Sequence, residues 1–173
     1  GRAAAEAAGL LAEWSAEPLP LDAGPDSLAY IAFTSGTTGV PRTVLGRHGS
    51  LTHFIPWLAA TFGLTPDDRF SMLSGLAHDP LQRDVFHPLQ LGASVVAPPE
   101  RALETRGGLA RWLREARITA AHLTPSLGKV ITDLPPDGEE PIPGLRLAFY
   151  VGEALTRGEV ERLRRLAPGV RAV

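Results

Sequence analysis

Cysteine is absent from the 173 residues, which excludes a disulfide framework, a thiolate metal site and a cysteine nucleophile together. Lysine is nearly absent: Lys and Arg together number 17, and Lys129 is the only lysine. A coding bias accounts for that before any function does. An excess of one charge is missing too, with a formal net charge of -2. No nucleic-acid partner and no disordered acidic tail are therefore expected. No uncharged apolar run reaches membrane-spanning length, so no membrane partner is expected. No basic segment precedes an apolar one at the start, so no secretory signal is visible and the expected compartment is the cytoplasm. His48, His53, His87 and His122 are not grouped at ligand spacing, so no resident metal site is expected, and His122 reads as structural.

Apolar residues make up 44% of the chain, enough for a buried core, and the length suits one domain or part of a larger one. The chain begins with Gly1 and reads as an excised piece. Residues 2–14 are Ala-rich and favour helix; residues 17–26 hold Pro18, Pro20 and Pro25 and read as a linker. The expected division is a helix and Pro-rich linker over 1–27 and a domain over 28–173. Within that domain residues 28–33 read as a buried strand, and Ser50 as the cap of a helix with stripe Leu51, Phe54, Ile55, Leu58 and Phe62, kinked or shifted by Pro56. Residues 70–73 form another short apolar run, and 79–91 read as a helix bent or stopped near Pro88. Strands are expected at 93–97, 118–123, 145–151 and 170–173. Between them lie a helix with the face Leu109, Trp112, Leu113 and Ala116, and one opened by Thr124 and Pro125 with the stripe Leu127, Val130, Ile131 and Leu134. A third carries a capping box of Thr156 and Glu159. Strand alternating with helix predicts an α/β layered fold, a mostly parallel sheet flanked by helices, with ligands beyond the carboxyl ends of the strands.

Three loops expected there are chemically unusual. The segment 34–42 packs four hydroxyls and two glycines into six residues and ends on Arg42. Gly36 and Gly39 allow successive amides to point at one anion, and Arg42 offers a fixed cationic fork. The glycine spacing excludes a Walker loop. An ordinary Ser/Gly-rich turn uses the same residue types, but the preceding strand and the Pro-Arg that follows favour a phosphate site. In the second loop Asp79, Pro80 and Gln82 fit N-cap, N1 and N3 of a helix, and Arg83 could pair with Asp79 one turn on. On the residues alone that helix cap is the favoured reading. The third loop, 152–154, reads as a plain strand-to-helix turn.

Residues 28–42, Leu28-Ala-Tyr-Ile-Ala-Phe-Thr-Ser-Gly-Thr-Thr-Gly-Val-Pro-Arg42, resemble the phosphate-loop motif of the adenylate-forming superfamily. That superfamily includes nonribosomal peptide synthetase adenylation domains, acyl-CoA synthetases and luciferases. The usual motif has Lys where this chain has Arg42 and Gly where it has Thr43. The chain is most similar to the adenylation domain of α-aminoadipate reductases. That similarity runs through Val44-Leu-Gly-Arg-His-Gly-Ser50, Phe70-Ser-Met-Leu-Ser-Gly-Leu-Ala-His-Asp-Pro-Leu-Gln-Arg-Asp-Val-Phe86, Leu91-Gly-Ala93, His122-Leu-Thr-Pro125 and Phe149-Tyr-Val-Gly-Glu153.

The resemblance implies part of the large N-terminal subdomain of an adenylate-forming enzyme. Its reaction would activate a carboxylate with ATP and Mg2+ and pass the acyl group to phosphopantetheine on a carrier protein domain. It implies that Thr34, Ser35, Gly36, Thr37, Thr38 and Gly39 hold the β- and γ-phosphates, with Arg42 as the catalytic cation. Asp79 would hold a substrate amino group and Arg83 a second carboxylate, pointing to an acidic amino acid. Pro80, Ser126, Phe149 and Val151 would line the same pocket. His78 would line it or be a helix N′ residue. Gly152, Glu153 and Ala154 would pass the adenine, with the plain turn equally open for Glu153. In the family an Asn-x-Tyr-Gly-x-Thr-Glu motif follows the strand on which this chain ends, so the piece is expected to stop short of half the active site. The 173 residues alone are therefore expected to give no ATP–pyrophosphate exchange. The rival readings are an acyl-CoA synthetase acting on a plain acid and a non-catalytic nucleotide- or partner-binding module.

Overall fold

The computed structural model describes residues 9, 15, 17, 20, 22–34, 42–75, 80–134 and 140–173. The helix expected over 2–14 lies almost wholly outside the described residues, as does much of the linker. Residues ahead of the first strand form a turn in which the Ser27 N–H donates to the Gly24 carbonyl at 3.0 Å.

The first described unit is an antiparallel pair, β1 (Leu28–Thr34) and β2 (Arg42–Arg47), followed directly by α1 (His48–Phe62). The sequence reading missed β2. It expected β1 to be buried, whereas Leu28, Ile31 and Phe33 are about three-fifths exposed. The reason is topological: β1 pairs with β2 alone among the described strands, and a two-stranded ribbon cannot cover both of its faces. Gly46 is required in β2 because the Tyr30 ring lies across it and leaves no room for a Cβ.

The main chain alternation begins at β3 (Arg69–Ser71) and continues through α2 (Leu81–Leu91), β4 (Ser94–Val96), α3 (Glu100–Glu104), α4 (Gly108–Glu115) and β5 (Ala120–Leu123). It ends with α5 (Pro125–Thr132), β6 (Leu147–Tyr150), α6 (Arg157–Leu166) and β7 (Arg171–Ala172). Among the described residues these strands form a five-stranded sheet in the order β4-β3-β5-β6-β7, with every adjacent pair parallel. The predicted α/β class and parallel sheet are therefore the observed ones.

Alternate residues of each strand serve opposite faces. Phe70, Ala120, Leu147 and Phe149 pack toward α1 through Leu58, Phe54 and Phe62. Ala121, Leu123 and Ala148 pack toward the other layer, with Leu109, Trp112, Leu113, Ile131 and Leu163. Leu113 and Leu163 are fully buried, and each such side chain contributes roughly 1.5–3 kcal/mol. One expected helix start shifts. Arg47, not Ser50, is the N-cap of α1; Ser50 lies inside the helix and its hydroxyl donates to the Arg47 carbonyl at 2.8 Å. Pro56 and Pro88 lie inside their helices, and α2 ends at Leu91 as expected; tertiary packing outweighs one missing N–H. In α5 the buried face is Pro125, Gly128 and Ile131, while Val130 is half exposed. Gly128 is there because Tyr150 packs over it.

Two capping predictions hold. Thr124 accepts from the Leu127 N–H at 3.1 Å. In the Thr156 capping box Glu159 accepts from the Thr156 N–H at 2.7 Å. Hydrogen bonds from Thr156 and Lys129 hold the Glu159 carboxyl down at about 2.

The amino ends of the strands are tied together by residues that immediately precede them. Asp68, before β3, accepts from the Thr119 hydroxyl before β5 at 2.6 Å and from Arg146 Nε before β6 at 2.9 Å. The Arg69 N–H donates to Thr119 Oγ1 at 2.9 Å, and Arg146 also reaches the Gly63 carbonyl at 2.9 Å. Burial alone would raise the Asp68 pKa, but hydrogen bonds from Arg146, Thr119 and the Thr65 N–H overcome it and hold the carboxyl below its ordinary value. A depressed carboxyl stabilises the fold above its ordinary value and loses that contribution as pH falls below it. Arg146→Met is expected to lower unfolding stability by roughly 1–3 kcal/mol at neutral pH. Urea unfolding followed by Trp112 fluorescence should show that loss, and it should shrink as the pH drops below about 4.

Candidate functional site

The chain runs from β3 outward to β4 and then returns past β3 to β5, so the winding direction reverses between β3 and β5. At such a reversal the connections leave the sheet to opposite sides and open a crevice at the carboxyl ends. A cavity of about 250 Å³ lies there. Leu73, Ser74 and Gly75 enter it after β3, His122 and Leu123 from the end of β5, and Val151 after β6; Thr124, Leu127 and Pro80 complete the wall. It is small for a ligand site, and its size suits a molecule on the scale of an amino acid.

The structure brings together some of the predicted site residues and not others. Pro80 and Val151 share the cavity. Pro80 stands at the start of α2 with helical dihedrals, and its carbonyl accepts from the Arg83 N–H at 3.0 Å. Asp79 and His78 lie outside the described residues; the described residues on either side of that segment, Gly75 and Pro80, both line the cavity. Phe149 is buried behind the wall, stacked on His122 at 5.1 Å and edge-on to Phe62 at 5.0 Å. Arg83 does not join this cavity. It lines a neighbouring one of about 200 Å³ with Tyr30, Ser50 and Phe54, and its guanidinium sits 5.8 Å from the Phe54 ring centre.

Ser126 and Glu153 are joined to each other. One Glu153 carboxylate oxygen accepts from the Ser126 N–H at 3.0 Å and from its hydroxyl at 2.7 Å. The turn after β6 is thereby fastened to the start of α5. Gly152 sits in that turn at φ +84°, where a side chain would be strained, and Ala154 is exposed. Thr34 ends β1 with its backbone opposite Arg42, which begins β2 and is exposed. The segment 34–42 therefore bridges the antiparallel ribbon and is not a strand end of the parallel sheet, as had been expected. Ser35, Gly36, Thr37, Thr38 and Gly39 lie outside the described residues.

A buried polar group escaped the sequence reading. Asp84 is fully buried on α2; one oxygen accepts from the Leu73 and Ser74 N–H groups at 3.0 and 2.9 Å. The other lies 2.8 Å from His122 Nδ1. His87, one turn further along α2, is also fully buried, its ring 5.5 Å from that of His122. Neither ring nitrogen of His87, nor Nε2 of His122, has a hydrogen-bond partner among the described residues. The signal was available: Asp84, His87 and Pro88 fall on one helical face, opposite the exposed Phe86 and Leu89. Among the described residues no group of three or more His, Asp and Glu could hold a metal ion, and no helix is long and apolar enough to cross a membrane.

The model of the family described as AMP-binding enzyme matches residues 2–173. The chain belongs to the AMP-binding enzyme family. It is 49% identical over 150 residues to the L-2-aminoadipate reductase large subunit of Eremothecium gossypii, covering 87% of this chain and 11% of that protein. It is 47% identical over 150 residues to the L-2-aminoadipate reductase of Schizosaccharomyces pombe, covering 87% of this chain and 10% of that protein. The chain thus spans about a tenth of the length of these curated relatives. Among solved structures it resembles the nonribosomal peptide synthetase FmoA3, with a TM-score of 0.82 at 33% identity, over 93% of this chain and 17% of that one. It also resembles VinN in complex with L-aspartate, with a TM-score of 0.80 at 25% identity, over 99% of this chain and 42% of that one. In this AMP-binding fold the strand-end cavity is the candidate ligand site.

Burial lowers the His87 pKa to about 4, with the His122 and Arg83 charges adding to the effect and Asp84 opposing it. The unfolded chain therefore binds this proton more readily than the fold does. Stability is full above about pH 6.5 and is lost as pH falls toward about 4. That window is worth up to roughly 3 kcal/mol. Denaturant unfolding at stepped pH should show the slope in the native chain, and His87→Leu should flatten it.

Proposed function

We propose that the parent enzyme activates an acidic amino acid by attack of its carboxylate on the α-phosphorus of ATP, giving an acyl-adenylate and pyrophosphate. The acyl group then passes to phosphopantetheine on a carrier domain. The observation that carries this reading is the cavity at the winding reversal, lined by Pro80 and Val151, in a chain of the AMP-binding family.

Support for an acidic substrate comes from Arg83, which lines the neighbouring cavity and would be met only by a substrate whose second carboxylate extends that far. It is half-buried, its charge rests against the face of Phe54, and among the described residues it has no carboxylate partner. A cation in that position favours an anionic ligand, and a neutral one would leave the charge uncompensated. The relatives named for aminoadipate and the VinN complex with L-aspartate point the same way. Asp79 would hold the ammonium group, with His78, Ser126 and Phe149 around it. Thr34, the 35–39 segment and Arg42 would hold the phosphates, which is positioning and charge stabilisation. The turn Gly152, Glu153 and Ala154 would border the adenine. ATP supplies the electrophilic phosphorus. Among the described residues no group of three or more His, Asp and Glu would hold Mg2+.

The test is a pyrophosphate-exchange panel on the full-length parent with acidic, neutral and basic amino acids and plain carboxylic acids. Acidic amino acids, with α-aminoadipate leading, should give the highest kcat/KM, and Arg83→Ala should selectively lose them. Preference for a neutral amino acid or a fatty acid would sink the reading. Arg42→Ala should raise the KM for ATP or lower turnover by an amount equal to roughly 1.5–3 kcal/mol, with amino-acid binding little changed.

A further inference from the structure

We propose that Asp84 is a positioning residue that builds the acyl site by fixing two of its walls at once. Its two oxygens divide the work. One holds the Leu73 and Ser74 N–H groups at 3.0 and 2.9 Å, setting the backbone that leaves β3. The other holds His122 Nδ1 at 2.8 Å, setting the imidazole that leaves β5. Leu73, Ser74 and His122 all line the strand-end cavity. Asp84 itself is fully buried and lies behind that wall, so it acts through its neighbours.

The hydrogen-bond pattern also determines the tautomer. A carboxylate oxygen accepts, so Nδ1 of His122 carries the hydrogen and the neutral ring keeps Nε2 as a bare acceptor. That nitrogen has no partner among the described residues. Asp84 thus sets the tautomer and the orientation of the His122 ring in the cavity wall. The proposal rests on the reading of this cavity as the acyl site.

The experiment uses pyrophosphate exchange by the full-length parent, with whichever amino acid the wild-type enzyme prefers. A failed acidic preference would therefore appear in the wild type, and a failure of this proposal only in the variants. Asp84→Asn keeps an oxygen for the two N–H groups but sets an amide N–H against Nδ1, which inverts the tautomer. It should raise the KM for the amino acid about ten-fold while kcat and the KM for ATP stay within about three-fold. His122→Gln should raise the same KM by a similar factor, and adding Asp84→Asn to it should cost nothing more, because both act through one ring. A wild-type KM in Asp84→Asn overturns the proposal. So does an additive double variant, and so does a joint shift of kcat, both KM values and the thermal midpoint, which is what a purely structural carboxylate would give. Should Asp84→Asn fail to fold, His122→Gln decides alone, and an unchanged amino-acid KM rejects the idea.

Discussion

A parallel sheet is stable only when both of its faces are covered, since its strands are apolar on both sides and its crossovers must pass over one face or the other. The layout of residues 69–173 follows from that constraint. Phe70, Ala120, Leu147 and Phe149 demand the α1 layer, while Ala121, Leu123 and Ala148 demand the layer that carries Trp112, Ile131 and Leu163. With both faces closed, only the two rims of the sheet are left to differ. The amino rim is bound up by Asp68, Thr119 and Arg146. At the carboxyl rim, where the winding reverses, Asp84 of α2 links the backbone leaving β3 to His122 of β5, and it is there that the cavity opens.

Helix α2 departs from the usual division of polar and apolar surface. Its buried residues are Asp84, His87 and Pro88, whereas Phe86 and Leu89 are 39% and 63% exposed. The cause is on the sheet. At the position where β5 would ordinarily present an aliphatic side chain to α2 it presents His122, and a carboxylate then becomes the fitting neighbour. Asp84 is tolerable in the interior because both oxygens have donors. His87 is less well served: its ring packs among those of Phe54, Phe70 and His122, and neither nitrogen has a hydrogen-bond partner among the described residues.

These details explain what could be read from the chain beforehand. The parallel α/β architecture, the buried face of α4 and the Thr124 and Thr156 caps were legible because each depends on neighbours in sequence or on a simple period. Strand β2 was not, because residues 42–47 become a strand only by pairing with β1. The exposure of β1 is invisible for the same reason: its apolar run looks identical whether or not a second layer covers it. The packing face of α2 inverts the rule by which faces are assigned, so Asp84 passed unnoticed beside Asp79 and Arg83. For the candidate site, Pro80 and Val151 meet in one cavity, while Ser126 and Glu153 are bonded to each other; that pairing lies 27 residues apart and leaves no periodic trace.

The Asp84–His122 contact also bears on how such a pocket can be remodelled, in nature or at the bench. Position 122 is an obvious place to alter selectivity, since it lines the cavity, but it is half of a buried pair. Replacing the imidazole with an aliphatic group would strand the Asp84 carboxylate oxygen in the interior. Enlarging or recolouring this wall is therefore a two-position design problem, in which 84 and 122 must be exchanged as a unit and an aliphatic residue at one calls for an aliphatic residue at the other. The Leu73 and Ser74 N–H groups would then need a new acceptor, so the backbone leaving β3 would have to be redesigned along with the side chains.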